Sequence, residues 1–187
     1  VTGSRHLVDT GRARVLVDCG MFQGGPDESM RNRVPLGVDP ATLDAVVLTH
    51  AHLDHCGLLP LLVHEGFRGR VWCTAASAEL ARLVLLDSAR LQEEFAKRAS
   101  RRERRDPERA AERDARDEKA FEEVVELAAD GAASPGGPDP EELLRAAGPI
   151  VELGLDDPLY TEDDANATLP MLRHIPYGAE HEVAQGV

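Results

Sequence analysis

Residues 44–55 read DAVVLTHAHLDH, in which a short apolar run leads into the polar motif THAHLDH at residues 49–55. Burying several imidazoles and a carboxylate without partners would be costly, and a divalent cation removes that cost by accepting their lone pairs. The stretch therefore predicts a buried strand that ends in a metal-binding loop. Its four candidate ligands fall within six residues: His50, His52, Asp54 and His55.

The spacing of these side chains suits two neighbouring ions. His50 and His52 are two residues apart, so their rings project to the same side of an extended segment. Asp54 and His55 are adjacent, and at the start of a helix they point in different directions. One compact turn could present the first pair to one ion and the second pair to another, about 3.5–4 Å away. Imidazole and carboxylate ligands without thiolate favour zinc, with manganese or iron as alternatives.

Hydrophobic patterning around the motif predicts an α/β layered domain. Alternating stretches at residues 6–10 and 12–20 predict a β-hairpin that ends in Asp18, Cys19 and Gly20. The continuous apolar runs at residues 43–50 and 69–74 predict two buried strands.

Leu and Val at helical spacing predict two helices after the motif. The first covers residues 57–66, with Pro60 in its first turn and Gly66 at its end. The second is a long helix over residues 76–100.

A third helix is predicted near the end of the chain, at residues 161–172. Thr161 is its predicted N-cap, and Asp164 follows three residues later as a variant of the capping box. Two short strands are predicted after it, at residues 173–178 and 181–187.

Charged residues dominate residues 97–118, which contain nine Lys or Arg and seven Asp or Glu among 22 residues. Such a segment predicts a solvated helix held by i,i+4 ion pairs, since it has no apolar face to bury. Residues 130–140 predict a linker by composition. As an alternative to simple solvation, five arginines could contact a polyanion: Arg98, Arg101, Arg102, Arg104 and Arg105.

The composition, 42% hydrophobic and 29% charged residues, is that of a soluble globular protein. No apolar run approaches the roughly 18–20 residues that span a bilayer, and the first residues lack the pattern of a signal peptide. Cys19, Cys56 and Cys73 show no CxxC spacing, so we expect three reduced, buried thiols in a cytoplasmic protein. The chain also begins without Met, which favours a piece of a longer protein.

The motif THAHLDH matches the HxHxDH signature of the metallo-β-lactamase superfamily, and the upstream VLVDCGMFQGG resembles that superfamily's first motif. More narrowly, the chain is similar to the beta-CASP branch, which contains RNA-processing nucleases related to the cleavage-and-polyadenylation endonuclease subunit. That likeness rests on VTGSRHLV, LVDCGMFQG, LTHAHLDHCGLLPLL and LLDSARLQEE, and it resumes at DPLYTEDDANATLPMLRHIPYG.

The resemblance implies an αβ/βα sandwich, of which only the N-terminal part is present. It implies two zinc ions, one bound by His50 and His52 and the other by Asp54 and His55. Asp18 would accept hydrogen bonds and orient the histidine loop, although it could instead cap the turn that follows it. Asp54 would also position a metal-bound water that hydrolyses RNA. The catalytic residues implied are therefore Asp54 and Asp18.

Two tetrahedral zinc ions need more ligands than four. The superfamily takes the others from later histidines and an aspartate, which we expect beyond residue 187, so we expect this chain alone to be inactive. The sequence around His174 and His181 does not resemble the superfamily motifs that supply those later ligands. His6 and His64 are expected to be structural.

The resemblance also suggests a division of the chain into three parts. Residues 1–96 would be the N-terminal portion of the metallo-β-lactamase domain with the metal loop. Residues 97–140 would be a charged helical insert and linker, and residues 141–187 a truncated continuation of the domain.

Other functions stay open at this point. A hydrolase of the same fold could act on a thioester, a lactone or DNA, and a non-catalytic binding member would have an incomplete metal site. The net charge of −13 argues against a nucleic-acid partner, although less so where metal ions supply positive charge at the phosphate. A homodimer and a cytoplasmic location without membrane contact complete the expectations.

Overall fold

A computed structural model of the chain describes residues 3–24, 30–34, 36–132, 157–178 and 180–187. The chain divides into two compact units. The first comprises Val1–Gln23, Asp39–Leu91 and Tyr160–Val187, and the second comprises Gly24–Val38 and Gln92–Leu159. The domain boundaries expected after residues 96 and 140 stay a prediction.

A five-stranded sheet forms the centre of the first unit, with its strands side by side in chain order. Leu16, Val46 and Val71 stand in register across it and are at most 3% exposed. The strands are β1 (His6–Asp9), β2 (Arg14–Val17), β3 (Ala45–Val47), β4 (Arg70–Cys73) and β5 (Leu172–His174). The antiparallel pair β1–β2 confirms the predicted hairpin, and the four strands from β2 to β5 are parallel to one another.

Five α-helices and two short 3₁₀ helices, Pro40–Thr42 and Leu169–Met171, complete the described elements, and together with the sheet they confirm an α/β fold. Short helices connect β3 to β4, a long helix follows β4, and a short one precedes β5. In chain order the α-helices are α1 (Leu53–Cys56), α2 (Leu59–His64), α3 (Ala75–Arg105), α4 (Pro107–Ala132) and α5 (Glu162–Thr168). Helices α2 and α5 pack against each other, as right-handed crossovers between parallel strands in chain order predict.

The C-terminal segment covers part of one face of the sheet. Val15, Ala45 and Trp72 form a buried cluster there, and the indole N–H of Trp72 donates to the Val183 carbonyl at 3.2 Å. Partly buried apolar side chains pack against this cluster: Val47, Ile175, Val183, Ala184 and Val187.

The strand predicted at residues 181–187 is wrong. This segment closes turns on itself, because the Val183 N–H donates to the Val187 carbonyl at 2.9 Å. Gly186 has a φ of 76°, and its N–H donates to the Glu182 carboxylate at 2.8 Å. Backbone groups that are satisfied locally are not available for a ladder, although the apolar side chains still reach the sheet.

Helix α2 agrees with its sequence pattern. Its residues from Leu59 to Val63 are all buried, and Pro60 occupies the first turn, where its missing N–H has no helical partner to lose. The chain leaves the helix through Glu65 and then Gly66, whose φ of 118° confirms the predicted end.

Helix α5 begins with a complete capping box. The Thr161 hydroxyl accepts from the Asp164 N–H at 3.2 Å, and the Asp164 carboxylate accepts from the Thr161 N–H at 2.8 Å. Asp164 also lies 2.9 Å from Nδ1 of His64 on α2. Burial alone would raise the pKa of Asp164, but the hydrogen bonds from Thr161 and the contact with His64 outweigh it and hold that pKa below its usual value.

The solvated helical segment predicted at residues 97–118 is confirmed, although it is formed by two helices that meet at Asp106. Helix α3 runs on into the charged segment, and α4 begins two residues after α3 ends. Most side chains of residues 97–120 are exposed. The linker predicted at residues 130–140 lies mostly outside the described residues.

Cys19, Cys56 and Cys73 are buried and free, as predicted. Burial raises the pKa of both Cys19 and Cys56 to about 12, so both thiols are neutral and behave as small apolar side chains. In the described part of the chain, no helix has the length and apolar character needed to cross a membrane.

We predict that Asp164→Asn lowers the free energy of unfolding by about 1 kcal/mol at pH 7, because it weakens the hydrogen bonds with Thr161 and the contact with His64. The folded-state pKa of Asp164 is depressed, so its contribution is complete above the unfolded pKa of about 3.9 and disappears as the pH falls through the folded value. Urea unfolding at pH 7 and pH 3 measures this. Asp163→Asn, one residue away and exposed, is the matched control, and an equal loss in both variants would contradict the capping role.

Candidate metal centre

The motif predicted to bind metal lies at the carboxyl ends of two neighbouring parallel strands. Asp18 directly follows β2, and Thr49 and His50 follow β3 after one further residue. The Asp18 N–H donates to the Val47 carbonyl at 2.9 Å, which extends the pairing of the strands to their ends. Parallel pairing thus places the candidate supporting carboxylate beside the histidine loop.

The Asp18 carboxylate is bonded to this loop at two points. It accepts the Thr49 N–H at 2.8 Å, and the Thr49 hydroxyl lies 2.9 Å from both carboxylate oxygens. The other contact is to Nδ1 of His55, at 2.7 Å. Asp18 is 2% exposed and has a φ of 61°, so a buried charge and an unfavourable backbone angle are held by these contacts. These partners lie 31 and 37 residues away rather than in the turn after Asp18.

His50 and His52 face each other, as their spacing predicts. Nε2 of His50 lies 3.2 Å from Nδ1 of His52. Two nitrogen ligands of one tetrahedral zinc, each at about 2.0–2.1 Å, lie about 3.3–3.4 Å apart. The Thr49 hydroxyl lies 3.1 Å from Nδ1 of His50 and has its own hydrogen for Asp18, so it accepts from Nδ1–H. The lone pair of Nε2 is therefore left for a ligand, and the pair fits one ion.

Asp54 and His55 stand in the first turn of α1, whose N-cap is His52. Because Nδ1 of His55 contacts Asp18, its Nε2 is directed to Asp54, with Oδ2 at 3.7 Å. A carboxylate that holds the far nitrogen is the usual support of a metal-binding histidine. The rings of His50 and His55 have centroids 3.9 Å apart, so both candidate pairs share one small region.

The four candidate ligands fit metal ions as two pairs and not as a complete centre. Among the residues that the structure describes, no group of three His, Cys, Asp or Glu side chains is arranged to hold an ion.

Backbone hydrogen bonds tie the segment after β2 to α1. The Cys19 N–H donates to the His55 carbonyl at 2.8 Å, and the Met21 N–H donates to the Leu53 carbonyl at 2.8 Å. The Leu58 N–H returns a bond to the Cys19 carbonyl at 2.9 Å. The turn that carries Asp54 and His55 is therefore held by main-chain contacts as well as by Asp18.

The N-terminal segment also reaches this turn, through Ser4. The Ser4 N–H donates to the Asp54 carbonyl, and the Gly20 N–H donates to the Ser4 carbonyl, at 2.8 and 2.9 Å. A Cβ atom on Gly20 would lie 1.7 Å from the Asp54 carbonyl oxygen, so only glycine fits this position.

The sequence reasoning missed the parts played by Thr49, Ser4 and Gly20. The signals present were a hydroxyl residue directly before the first histidine and small residues in the TGS and DCG stretches.

The other histidines lie elsewhere. His64 on α2 contacts the α5 carboxylate described above, and the ring of His181 lies 4.4 Å edge-on from Trp72. The remaining two are exposed strand residues, His6 and His174. Within the described residues, none of the four has a recorded contact with the motif.

The chain is similar in sequence both to a family model and to individual proteins. A sequence model described as the metallo-beta-lactamase superfamily matches residues 3–151, which is more than half of the chain and includes the whole motif.

Individual relatives match a shorter part. A ribonuclease of Thermus thermophilus is 54% identical over 94 residues, which are 50% of this chain and 21% of that protein. Transcription termination factor FttA of Methanothermobacter thermautotrophicus is 48% identical over 84 residues, 43% of this chain and 13% of that protein. An RNase J-like protein of Methanocaldococcus jannaschii is 36% identical over 88 residues, 47% of this chain and 18% of that protein. The matched segments thus span about a fifth or less of these curated relatives.

We predict that Gly20→Ala lowers the free energy of unfolding by about 3 kcal/mol or more, because the added Cβ must displace the Asp54 carbonyl. Gly11→Ala is the control. Gly11 has a φ of 72° and open space around its Cβ position, so this change adds only backbone strain of about 1–2 kcal/mol. Urea unfolding of both variants measures the difference, and equal stabilities would contradict the close approach at Gly20.

Proposed function

Because this chain belongs to the metallo-β-lactamase superfamily, we propose that it carries the metal loop of a hydrolase that cleaves RNA phosphodiester bonds. The observation that carries the proposal is the loop itself. His50 and His55 each have Nδ1 engaged by a neighbouring side chain, and each has Nε2 left for an ion. Relatives named ribonuclease and RNase J-like support RNA as the substrate. Since the matches span about a fifth or less of these relatives, the activity of the whole protein is part of the proposal.

The proposed ligands are His50 and His52 for one ion, and Asp54 and His55 for the other. Their oxygen and nitrogen donors suit zinc, with manganese or iron as alternatives. Bound ions of this kind supply Lewis acidity, which lowers the pKa of a water and stabilises the charge that develops on phosphate oxygens. Residues outside the motif would complete the coordination of both ions.

The chain's own residues have separate proposed roles. Asp54 orients the attacking water and is the proposed catalytic residue. Asp18 is a positioning residue, since it contacts His55 and Thr49 rather than substrate. The proposed location is the cytoplasm, which is supported by three buried free thiols.

The relatives named transcription termination factor FttA support a second candidate role. In this role the RNA is a nascent transcript, and the function is the end of transcription rather than the processing of free RNA. The metal loop has the same proposed chemistry in both roles, so they differ in the state of the RNA substrate.

We predict that the purified gene product binds about two zinc ions and cleaves single-stranded RNA, and that chelation abolishes cleavage. Asp54→Ala should lower the cleavage rate roughly 10²- to 10⁴-fold, because the group that orients the water is lost. Asp87→Ala, an exposed aspartate on α3, is the control and should keep the rate. RNA left intact by zinc-loaded protein that opens a thioester or lactone would reject the nuclease proposal.

A second prediction concerns metal affinity without reference to turnover. Asp18→Asn should weaken zinc binding about 10- to 100-fold, because a neutral amide holds Nδ1–H of His55 less strongly than the carboxylate does. Competition with a chromophoric chelator measures the affinity. Asp44→Asn is the matched control, because Asp44 also accepts a backbone N–H, from Arg14 at 2.8 Å, but precedes β3 at the opposite edge of the sheet. Equal zinc affinity in the two variants would contradict the role of Asp18.

A further inference from the structure

We propose that the arginines near the end of α3 bind the phosphate backbone of RNA at a site separate from the metal loop. The proposal rests on the proposed function, because it takes RNA as the polyanion that this protein meets. The site, called the arginine cluster below, comprises Arg98, Arg101, Arg102, Arg104 and Arg105.

The arginine cluster is a local concentration of positive charge on an acidic chain. Residues 98–105 contain five arginines and a single acidic residue, Glu103, whereas the chain as a whole has a net charge of −13. All five arginines are exposed. An anion can therefore reach them from solvent.

Four of the five arginines in the cluster differ from their surroundings in their ion pairs. Upstream of the cluster, Lys97 pairs with Glu93 at 3.2 Å, and Arg98, the first arginine of the cluster, pairs with Glu94 at 3.1 Å. Downstream, the arginines of α4 contact aspartates: Arg109 with Asp106, Arg113 with Asp114, and Arg116 with Asp117. Within the described residues, no carboxylate within 4 Å is recorded for the four arginines between them, residues 101, 102, 104 and 105.

Arginines crowd one another in this segment, although Asp106 and Glu108 also stand three or four residues from Arg102, Arg104 and Arg105. Side chains three and four residues apart are neighbours on a helix, and like charges at those spacings repel. Arg101, for example, has Arg98 before it and Arg104 and Arg105 after it at these spacings. The nearby Asp106 carboxylate is used at the start of α4, where it accepts the Arg109 N–H at 3.3 Å. A bound polyanion would replace this repulsion with attraction.

The end of α3 does not by itself explain the arginines. Cations are favoured beside free carbonyl groups in the last turn of a helix. Here the Asp106 N–H donates to the Arg102 carbonyl at 3.0 Å, and the Ala110 N–H donates to the Asp106 carbonyl at 3.1 Å. Arg102, Arg104 and Arg105 lie in this last turn, where the helix end favours a cation, whereas Arg98 and Arg101 lie before it.

The arginines form one strip of positive charge along the helix. On an ideal helix, residues 98, 101, 102 and 105 fall within an arc of about 100° and span about 10.5 Å along the axis. A single polyanion lying along this face could therefore contact several of them. The cluster contains arginine and no lysine, and a guanidinium binds phosphate through two parallel hydrogen bonds.

The test compares two triple variants that each remove three positive charges, one from α3 and the other from α4. One is Arg101→Gln/Arg102→Gln/Arg105→Gln in the arginine cluster, and the other replaces the ion-paired Arg109, Arg113 and Arg116 by Gln. Glutamine is close to arginine in helix propensity, and circular dichroism checks that helicity is kept. Both are made in an Asp54→Ala background so that the RNA stays intact. Binding of a labelled 20-nucleotide single-stranded RNA is measured by anisotropy between 25 and 200 mM KCl.

We expect the cluster variant to lose about two units of the slope of log K against log salt, since each lost phosphate contact removes about 0.7. Its affinity near 100 mM salt should fall roughly 10- to 100-fold. The paired-arginine variant should keep the slope and lose less than about threefold in affinity. An unchanged slope in the cluster variant, or equal losses in both variants, would overturn the proposal.

Two further measurements separate this inference from its alternatives. Displacement of the RNA by poly-glutamate as readily as by unlabelled RNA of equal charge would assign the arginine cluster to an acidic protein partner and overturn the RNA assignment. Cleavage of RNA by the protein without these substitutions tests the proposed function separately. If the protein cleaves RNA but the cluster variant keeps the salt slope, only the proposal for the arginine cluster is rejected. If the cluster variant loses slope but the protein does not cleave RNA, only the hydrolase proposal is rejected.

Discussion

The contact of the buried Asp18 carboxylate with the histidine loop is the constraint on which the candidate site depends. It joins the end of β2 to Thr49 after β3 and to His55 on α1, with distances of 2.7 to 2.9 Å. A carboxylate that is 2% exposed cannot be left without such partners, so the loop and the strand end stabilise each other. Because the same carboxylate contacts Nδ1 of His55, the contacts that hold the strand end also orient the candidate ligand.

Close backbone approach is the second requirement of this arrangement, and glycine makes it feasible. Gly20 lies against the Asp54 carbonyl, and a Cβ on Gly57 would lie 2.5 Å from the Leu53 carbonyl oxygen. Larger residues at either position would push the first turn of α1 away from the segment after β2. The hydrogen bonds from Cys19 and Met21 to α1 would then be lost. Gly20 and Gly57 thus help to determine the position of the candidate ligands Asp54 and His55, although they have no ligand atoms themselves.

Much of the fold could be predicted because local patterns were sufficient. The hairpin, the buried α2 with Pro60 in its first turn, and the capping box of Thr161 and Asp164 each involve neighbours in sequence. The strand predicted at residues 181–187 was wrong because alternation of apolar residues does not reveal whether backbone groups pair with a sheet or with each other. The charged segment was predicted to be helical, but which of its arginines lack a carboxylate depends on the geometry of the side chains.

By itself the sequence determined that three histidines and an aspartate follow a buried strand, and that too few ligands for two tetrahedral ions are present in this motif. Tertiary structure alone decided which ring nitrogens are left for an ion. His50 and His55 each have Nδ1 engaged, by Thr49 and by Asp18, and Asp18 lies 37 residues from His55 along the chain. A local sequence pattern cannot reveal the contact between Asp18 and His55, because it depends on the parallel pairing of β2 with β3, which brings the two strand ends together.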